Sequence, residues 1–295
     1  MKMDISLALG GGGSRGFAHI GVLQYLQKLD THIRAIAGTS AGGIVACFFA
    51  AGYSPSALEE ISLTIDQKKL YSITSSSGPG LLGLTNPIRI FEEYFGDKEF
   101  SDLEIPCAVV AVDIKTNREI IINKGRVVDA ILATIAVPGI FPPKILNDFE
   151  LVDGGVLNPV PVAVARKLAP RLPVVAVVLS SPLEKPGRIS PIPLVLKVPT
   201  PILNKITHSR VAQALSIFLQ SVDIGQRMIT ELRLEIDKPD IVIRPNVDTI
   251  GLLDKVDISS VIRSGYSASE LVKEQLNKYS SWKKRLQRHI FSRGK

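Results

Sequence analysis

The sequence predicts an α/β protein with a mostly parallel central sheet covered on both faces. Short apolar runs alternate with segments of helical spacing along most of the chain. Those runs are apolar throughout, as strands are when helices bury both faces of a sheet. No internal repeat or clear linker divides the 295 residues, enough for one large domain with a full core. Hydrophobic residues make up 45% and charged residues 21%, which places the chain among ordinary globular proteins.

The elements follow in order. "ISLALG" (5–10) is a short apolar run ending in glycines, read as a first strand and not as a leader, because no cleavage site follows it. "FAHIGVLQYLQKL" (17–29) has helical spacing, and "IRAIAG" (33–38) is a second strand. "AGGIVACFFAAG" (41–52) is apolar all round, as a helix buried on every side would be, with Gly52 as its C-terminal cap. "SPSALEEISLTI" (54–65) begins with a serine cap and a proline in the first turn. Residues 72–88 are Ser/Gly/Pro-rich and read as a loop.

"PCAVVAVDI" (106–114) and "EIIINKG" (119–125) are strands, and "VVDAILATIAVPG" (127–139) is a helix stopped by Pro138. "LPVVAVVLSS" (172–181) is another buried strand. Residues 182–205 hold six prolines and are read as irregular. "VAQALSIFLQSVDIGQRMITELRLEI" (211–236) is a long helix, "PDIVIRP" (239–245) the last strand, and helices follow to the end.

Residues 38–42 read "GTSAG", the spacing G-x-S-x-G. A strand runs into it and a helix leaves it, the context of a nucleophile elbow. Gly38 and Gly42 leave room for the tight turn, and Ser40 would stand at a helix N-terminus, where negative charge is stabilised. "GGGGSRG" (10–16) lies between the first strand and first helix and matches G-x-G-x-x-G through Gly11, Gly13 and Gly16. A dinucleotide site needs an acidic residue at the end of the second strand, where Gly38 and Ser40 stand, and a phosphate loop needs G-K-[S/T]. What remains is an oxyanion hole built from the backbone of Gly11, Gly12 and Gly13, with Arg15 adding positive charge or binding a substrate phosphate. "DGGVLNPVPV" (153–162) places Asp153 before Gly154 and Gly155, a pattern that a simple β-turn also satisfies.

Four ordered blocks make the chain resemble the bacterial patatin-like phospholipases: "GGGGSRGFAHIGVL", "GTSAGG", "IAVPGIFPP" (135–143) and "DGGVLNPVPV". The resemblance covers about residues 5–165, with "PDIVIRP" a weaker echo. It implies a three-layer α/β/α patatin-like fold, a Ser–Asp dyad of Ser40 and Asp153, and an acyl lipid substrate with no metal or cofactor. One departure stands out: where such sequences often carry serines before the proline block, this one has Thr134, Ala136 and Val137. A free aspartate, with pKa ~3.9, is a poor base for a serine hydroxyl. Burial that raises it, together with an oxyanion hole, would make the dyad workable.

The four histidines are His19, in the first helix, His32 on a surface turn, His208 and His289. His208 is the rival base, because Ser40, Asp153 and His208 reproduce the nucleophile–acid–histidine order of α/β-hydrolases, though no motif flanks it. A non-catalytic lipid-binding protein on the same fold is the other alternative. Cys47 and Cys107 lie in apolar stretches and read as free thiols in a reducing, cytoplasmic compartment.

The formal charge of +7 belongs to one segment. Residues 271–295 carry eight Lys and Arg against Glu274, and the rest of the chain is balanced. The expected organisation is a patatin-like domain over 5–270 and a basic amphipathic helix over 271–295. In that helix Val272, Leu276, Tyr279, Trp282, Leu286 and Ile290 recur every three or four residues. Such a helix lies on an anionic membrane surface as a peripheral contact, or packs on the domain. With few aromatics and no nucleic-acid-binding module, nucleic acid is not an expected partner. No Cys/His cluster has zinc spacing.

Overall fold

The computed structural model describes residues 3–67, 83, 85–183 and 210–280. Among these, eight strands form one sheet: β1 (Met3–Leu9), β2 (Thr31–Thr39), β3 (Cys107–Asp113), β4 (Arg118–Ile122), β5 (Lys144–Leu146), β6 (Phe149–Asp153), β7 (Val174–Val177) and β8 (Ile241–Ile243). The order is β5-β6-β3-β2-β1-β7-β8, with β4 on β3. From β3 to β8 along this order the pairs are parallel, and the β4, β5 and β6 pairings are antiparallel.

Side chains alternate across the sheet, and two apolar layers result. Leu7, Leu9, Ile36, Val109, Val175 and Val177 face one layer; Ala8, Ala37, Ala108, Val110, Val174 and Ala176 face the other. The first is covered by α1 (Ala18–Lys28), α2 (Ala41–Ala50), α3 (Pro55–Thr64), α4 (Thr85–Phe95) and α5 (Val127–Thr134); the second, by α6 (Val162–Leu168) and part of α7 (Arg210–Asp237). α8 (Ile258–Leu271) and α9 (Lys273–Ser280) return to the first layer. The expected three-layer α/β/α fold is the one observed.

Several elements differ from expectation. Residues 85–88, read as loop, open α4, whose Pro87, Phe91 and Phe95 are buried at a spacing of four. α5 ends at Thr134, short of Pro138, because a continuing helix would drive the proline ring into the Thr134 carbonyl. The freed Ala136 carbonyl instead accepts the Asp153 N–H at 2.9 Å. α7 is polar inward: Arg227 and Thr230 are buried, while Ile217, Ile224, Met228 and Ile236 are exposed. Leu276 of α9 is buried, and Tyr279 of α9 and Val272 just before it pack against the core, so the first half of the basic segment's apolar stripe faces the domain. Trp282, Leu286 and Ile290 lie outside the described residues. Both cysteines are free and buried.

The edge of β3 positions the site. Val109 and Val110 pair with β2 on one side and β4 on the other. Ala111, Val112 and Asp113 keep β4 and pair with β6. β6 therefore takes over the edge that β2 vacates at Thr39. Thr39 sits opposite Val110, and Asp153 opposite the next residue, Ala111. Ser40 and Asp153, 113 positions apart in sequence, become neighbours through consecutive residues of a third strand.

The turn out of β2 is packed against β1. A Cβ at Gly42 would collide with the Leu9 carbonyl and lie 2.6 Å from that of Gly10. Both contacts are backbone and have nowhere to move. Gly42→Ala should therefore lower the unfolding free energy by roughly 3 kcal/mol through overpacking. Urea denaturation reads this as a lowered midpoint at unchanged slope, and an unshifted midpoint would mean that the elbow is not held against β1.

Candidate active site

Ser40 is the residue before α2 and adopts φ 54°, ψ −125°. A side-chain-bearing residue in this region is strained, and the strain persists only where the surroundings fix it. Here Gly38 and Gly42 close on one another and on β1. The Ser40 N–H donates to Thr134 Oγ1 at 2.9 Å, and Thr134 Oγ1 donates to the Val110 carbonyl at 2.5 Å. Thr134 thus supplies the hydroxyl contact that its departure from serine had put at issue. Ser40 is 7% exposed, at the end of α2 where the helix dipole is positive.

Asp153 closes β6 and is 2% exposed. Its Oδ1 accepts the Gly155 N–H at 2.7 Å, and its carboxyl is hydrogen-bonded to the Ser40 side chain. Burial pushes the carboxyl up to about 6, against the pull of these two bonds. Gly154 packs on the Val110 carbonyl, and Gly155 lies under Gln226 of α7. The "DGG" segment is thus a close-packed corner, beyond what a surface turn would need.

The glycine loop meets the same point. Gly13, Ser14, Gly16, Ser40 and Ala41 share the walls of one cavity. Gly13 has φ +55°, and a Cβ there would run into the Leu252 carbonyl. Among the described residues neither the Gly12 nor the Gly13 N–H has a partner, so both remain available to an anion. Two expectations need correction. The Gly11 N–H is bonded to the Pro159 carbonyl at 2.9 Å and is not an oxyanion donor. Arg15 does not reach the cavity. Its guanidinium is buried against the Gly12 and Leu179 carbonyls, at 3.1 and 3.4 Å, and faces Asp223 of α7.

His19 is buried, donates from Nε2 to the Gly10 carbonyl at 2.8 Å, and is held neutral by burial, its pKa lowered to about 4. It braces the loop. His32 sits partly exposed beside Asp4 and Asp30. His208 lies outside the described residues. Among the described residues no group of three or more His, Cys, Asp or Glu could hold a metal.

The cavity holds about 1130 Å³ of empty space, its open mouth included. Phe17, Ile44, Val45 and Phe48 form one wall, Leu58 and Ile61 of α3 another, and Ile90, Phe91 and Phe141 close it. No charged side chain of the described residues lines it. Its walls explain why α2 is apolar all round: part of that helix faces the cavity instead of core. The α4 contribution was invisible within an apparent loop, though the Pro87, Phe91, Phe95 spacing signals it.

The raised carboxyl has a consequence for stability. From pH ~4 to about 6 the folded state keeps a proton that the unfolded chain has released, so stability falls as pH rises through this window. Above it the ionised carboxylate costs roughly 2–3 kcal/mol. Asp153→Asn keeps an acceptor for Gly155 and removes the charge. It should exceed the parent by roughly 2 kcal/mol at pH 8 and lose that advantage below pH 4. Urea denaturation at both pH values measures it; a variant less stable at pH 8 would mean desolvation does not dominate at Asp153.

A family model described as patatin-like phospholipase matches residues 7–166. An NTE family protein of Mycobacterium tuberculosis is 34% identical over 164 residues, 54% of this chain and 44% of that protein. Patatin-like phospholipase domain-containing protein 6 of Mus musculus is 30% identical over 176 residues, 56% of this chain and 13% of that protein. The chain spans less than half the length of either relative. Among solved structures, VipD from Legionella pneumophila shares the fold, with a TM-score of 0.58 at 14% identity over 94% of this chain and 67% of that one. The matched family region runs from β1 into α6 and contains every strand and loop that brings Ser40 to Asp153. The chain belongs to the patatin-like phospholipase family.

Proposed function

We propose that this chain is a serine acyl hydrolase that cleaves carboxylic esters of phospholipids, lysophospholipids or other acyl lipids through an acyl-Ser40 intermediate. The observation that carries the reading is the hydrogen bond between a buried Asp153 and Ser40, which lines a cavity that no charged side chain of the described residues lines. The acyl chain lies among Phe48, Ile61 and Phe91, with its carbonyl at Ser40. The Ser40 hydroxyl attacks that carbon as its proton passes to Asp153. The oxyanion is received by the Gly12 and Gly13 N–H groups. Collapse expels the alcohol, which takes the proton back from Asp153. Asp153 then draws a proton from water, which opens the acyl-serine and restores the hydroxyl.

A carboxyl near 6 is more basic than an ordinary aspartate, and desolvation strengthens its bond to the hydroxyl. With a short-chain nitrophenyl ester, Ser40→Ala should lose both turnover and fluorophosphonate labelling, and Asp153→Asn should lose about 10³-fold in kcat. kcat/KM should rise tenfold per pH unit up to about 6 and level above it, since only the ionised carboxyl is a base. A folded Ser40→Ala protein retaining a tenth of the activity, or labelling elsewhere, would sink the reading.

The basic residues from Lys283 onward fit peripheral contact with an anionic membrane. Removing residues 281–295 leaves the packed Leu276 in place. It should weaken co-sedimentation with anionic vesicles at low salt and leave soluble-ester turnover unchanged. Equal sedimentation of the two proteins would place the contact elsewhere.

A further inference from the structure

We infer that Asp223, on α7, is a positioning residue for the oxyanion loop: it holds the Arg15 guanidinium, which fixes the Gly12–Gly13 peptide so that the Gly13 N–H faces the substrate oxygen. The inference rests on the reading of Ser40 as nucleophile and adds a residue 183 positions away.

The Gly12 carbonyl accepts two hydrogen bonds from Arg15, one from its backbone N–H at 3.2 Å and one from Nε at 3.1 Å. A trans peptide is planar, so fixing the carbonyl fixes the Gly13 N–H on the opposite side. That N–H has no partner among the described residues, and Gly13 lines the cavity with Ser40. The same residue needs φ +55°, which a free glycine loop would not hold unaided. Arg15 is the clamp.

Arg15 is 7% exposed, and the Leu179 carbonyl at 3.4 Å does not neutralise it. Asp223 Oδ1 lies 3.9 Å from its Nη2, while Oδ2 lies 2.7 Å from Nη2 of Arg227, itself 6% exposed. One carboxylate thus sits between two buried cations. Without it they repel each other in a medium that screens weakly, and Arg15 is the one on a short glycine loop free to move. Asp248 and Asp254 also attract Arg15, but more weakly than Asp223. One turn further along α7, Gln226 lies against Gly155, whose N–H holds Asp153. Adjacent turns of α7 therefore abut both halves of the site.

Asp223→Asn should lower kcat on the nitrophenyl ester by about 10- to 100-fold, somewhat less than losing an oxyanion donor outright, with KM changed less than about threefold. Affinity for a trifluoromethyl ketone, which forms a tetrahedral adduct on serine, should fall in parallel with kcat/KM, and binding of a fluorescent fatty acid should not. Asp223→Glu should recover most of the loss. A variant that loses fatty-acid binding together with kcat, or is not rescued by glutamate, has a merely structural defect and overturns the inference. An unchanged kcat in an active protein overturns it while leaving the hydrolase reading intact. Should the parent protein show no turnover, the hydrolase reading fails. The Gly12 and Gly13 amide resonances then still decide: they shift in Asp223→Asn and return in Asp223→Glu if the clamp exists, and stay in place in both if it does not.

Discussion

The site is organised around one buried hydrogen bond, that between the Ser40 hydroxyl and the Asp153 carboxyl. Burial makes ionising Asp153 unfavourable, and two bonds to it offset only part of that penalty. The remainder is retained as basicity. A carboxylate exposed to water would be stable and inert here. The surrounding fold provides dryness: β3 beneath, the Ala136 carbonyl behind, α7 over Gly155, and an apolar cavity in front. The strain at Ser40 belongs to the same design, because a serine at φ 54° persists only where the backbone around it cannot relax.

The glycine loop and the acid loop are independent in sequence but not in space. His19 holds Gly10, Pro159 holds Gly11, Arg15 holds Gly12, and Leu252 bounds Gly13. Four partners from three parts of the chain hold four consecutive residues. Among the described residues, the N–H groups of Gly12 and Gly13 are left unpaired. The loop's polarity is therefore a matter of which donors are already engaged, more than of its composition.

Much of this was legible in the sequence. The elbow announces itself because Gly38, Ser40 and Gly42 stand between a strand and an apolar helix, and the acid because Asp153 precedes two glycines. The roles within "GGGGSRG" were not legible, since which of four similar N–H groups is engaged depends on Pro159, nearly 150 residues away. Arg15 looked like a ligand for substrate because a lone arginine in a glycine loop carries no sign of its partner. Its anion arrives on α7 in the tertiary fold. α4 escaped notice because a Ser/Gly/Pro stretch leads into it and Pro87 sits in its first turn, where a proline is compatible with a helix. The β5–β6 hairpin was missed because Asp148 interrupts its apolar pattern and its strands are short.

The shared edge of β3 also imposes a rule of parity. Along β6 successive side chains point to opposite faces, and Asp153 is opposite Ala111 with the correct face toward Ser40. A slip of one residue would place the carboxyl on the far side of the sheet, at nearly the same distance along the strand. Length changes in the hairpin between Leu146 and Phe149 are thus harmless only if the β6 register survives them. The pairing of Ser40 with Asp153 is set less by how far apart the two residues lie than by an odd or even count along a five-residue strand.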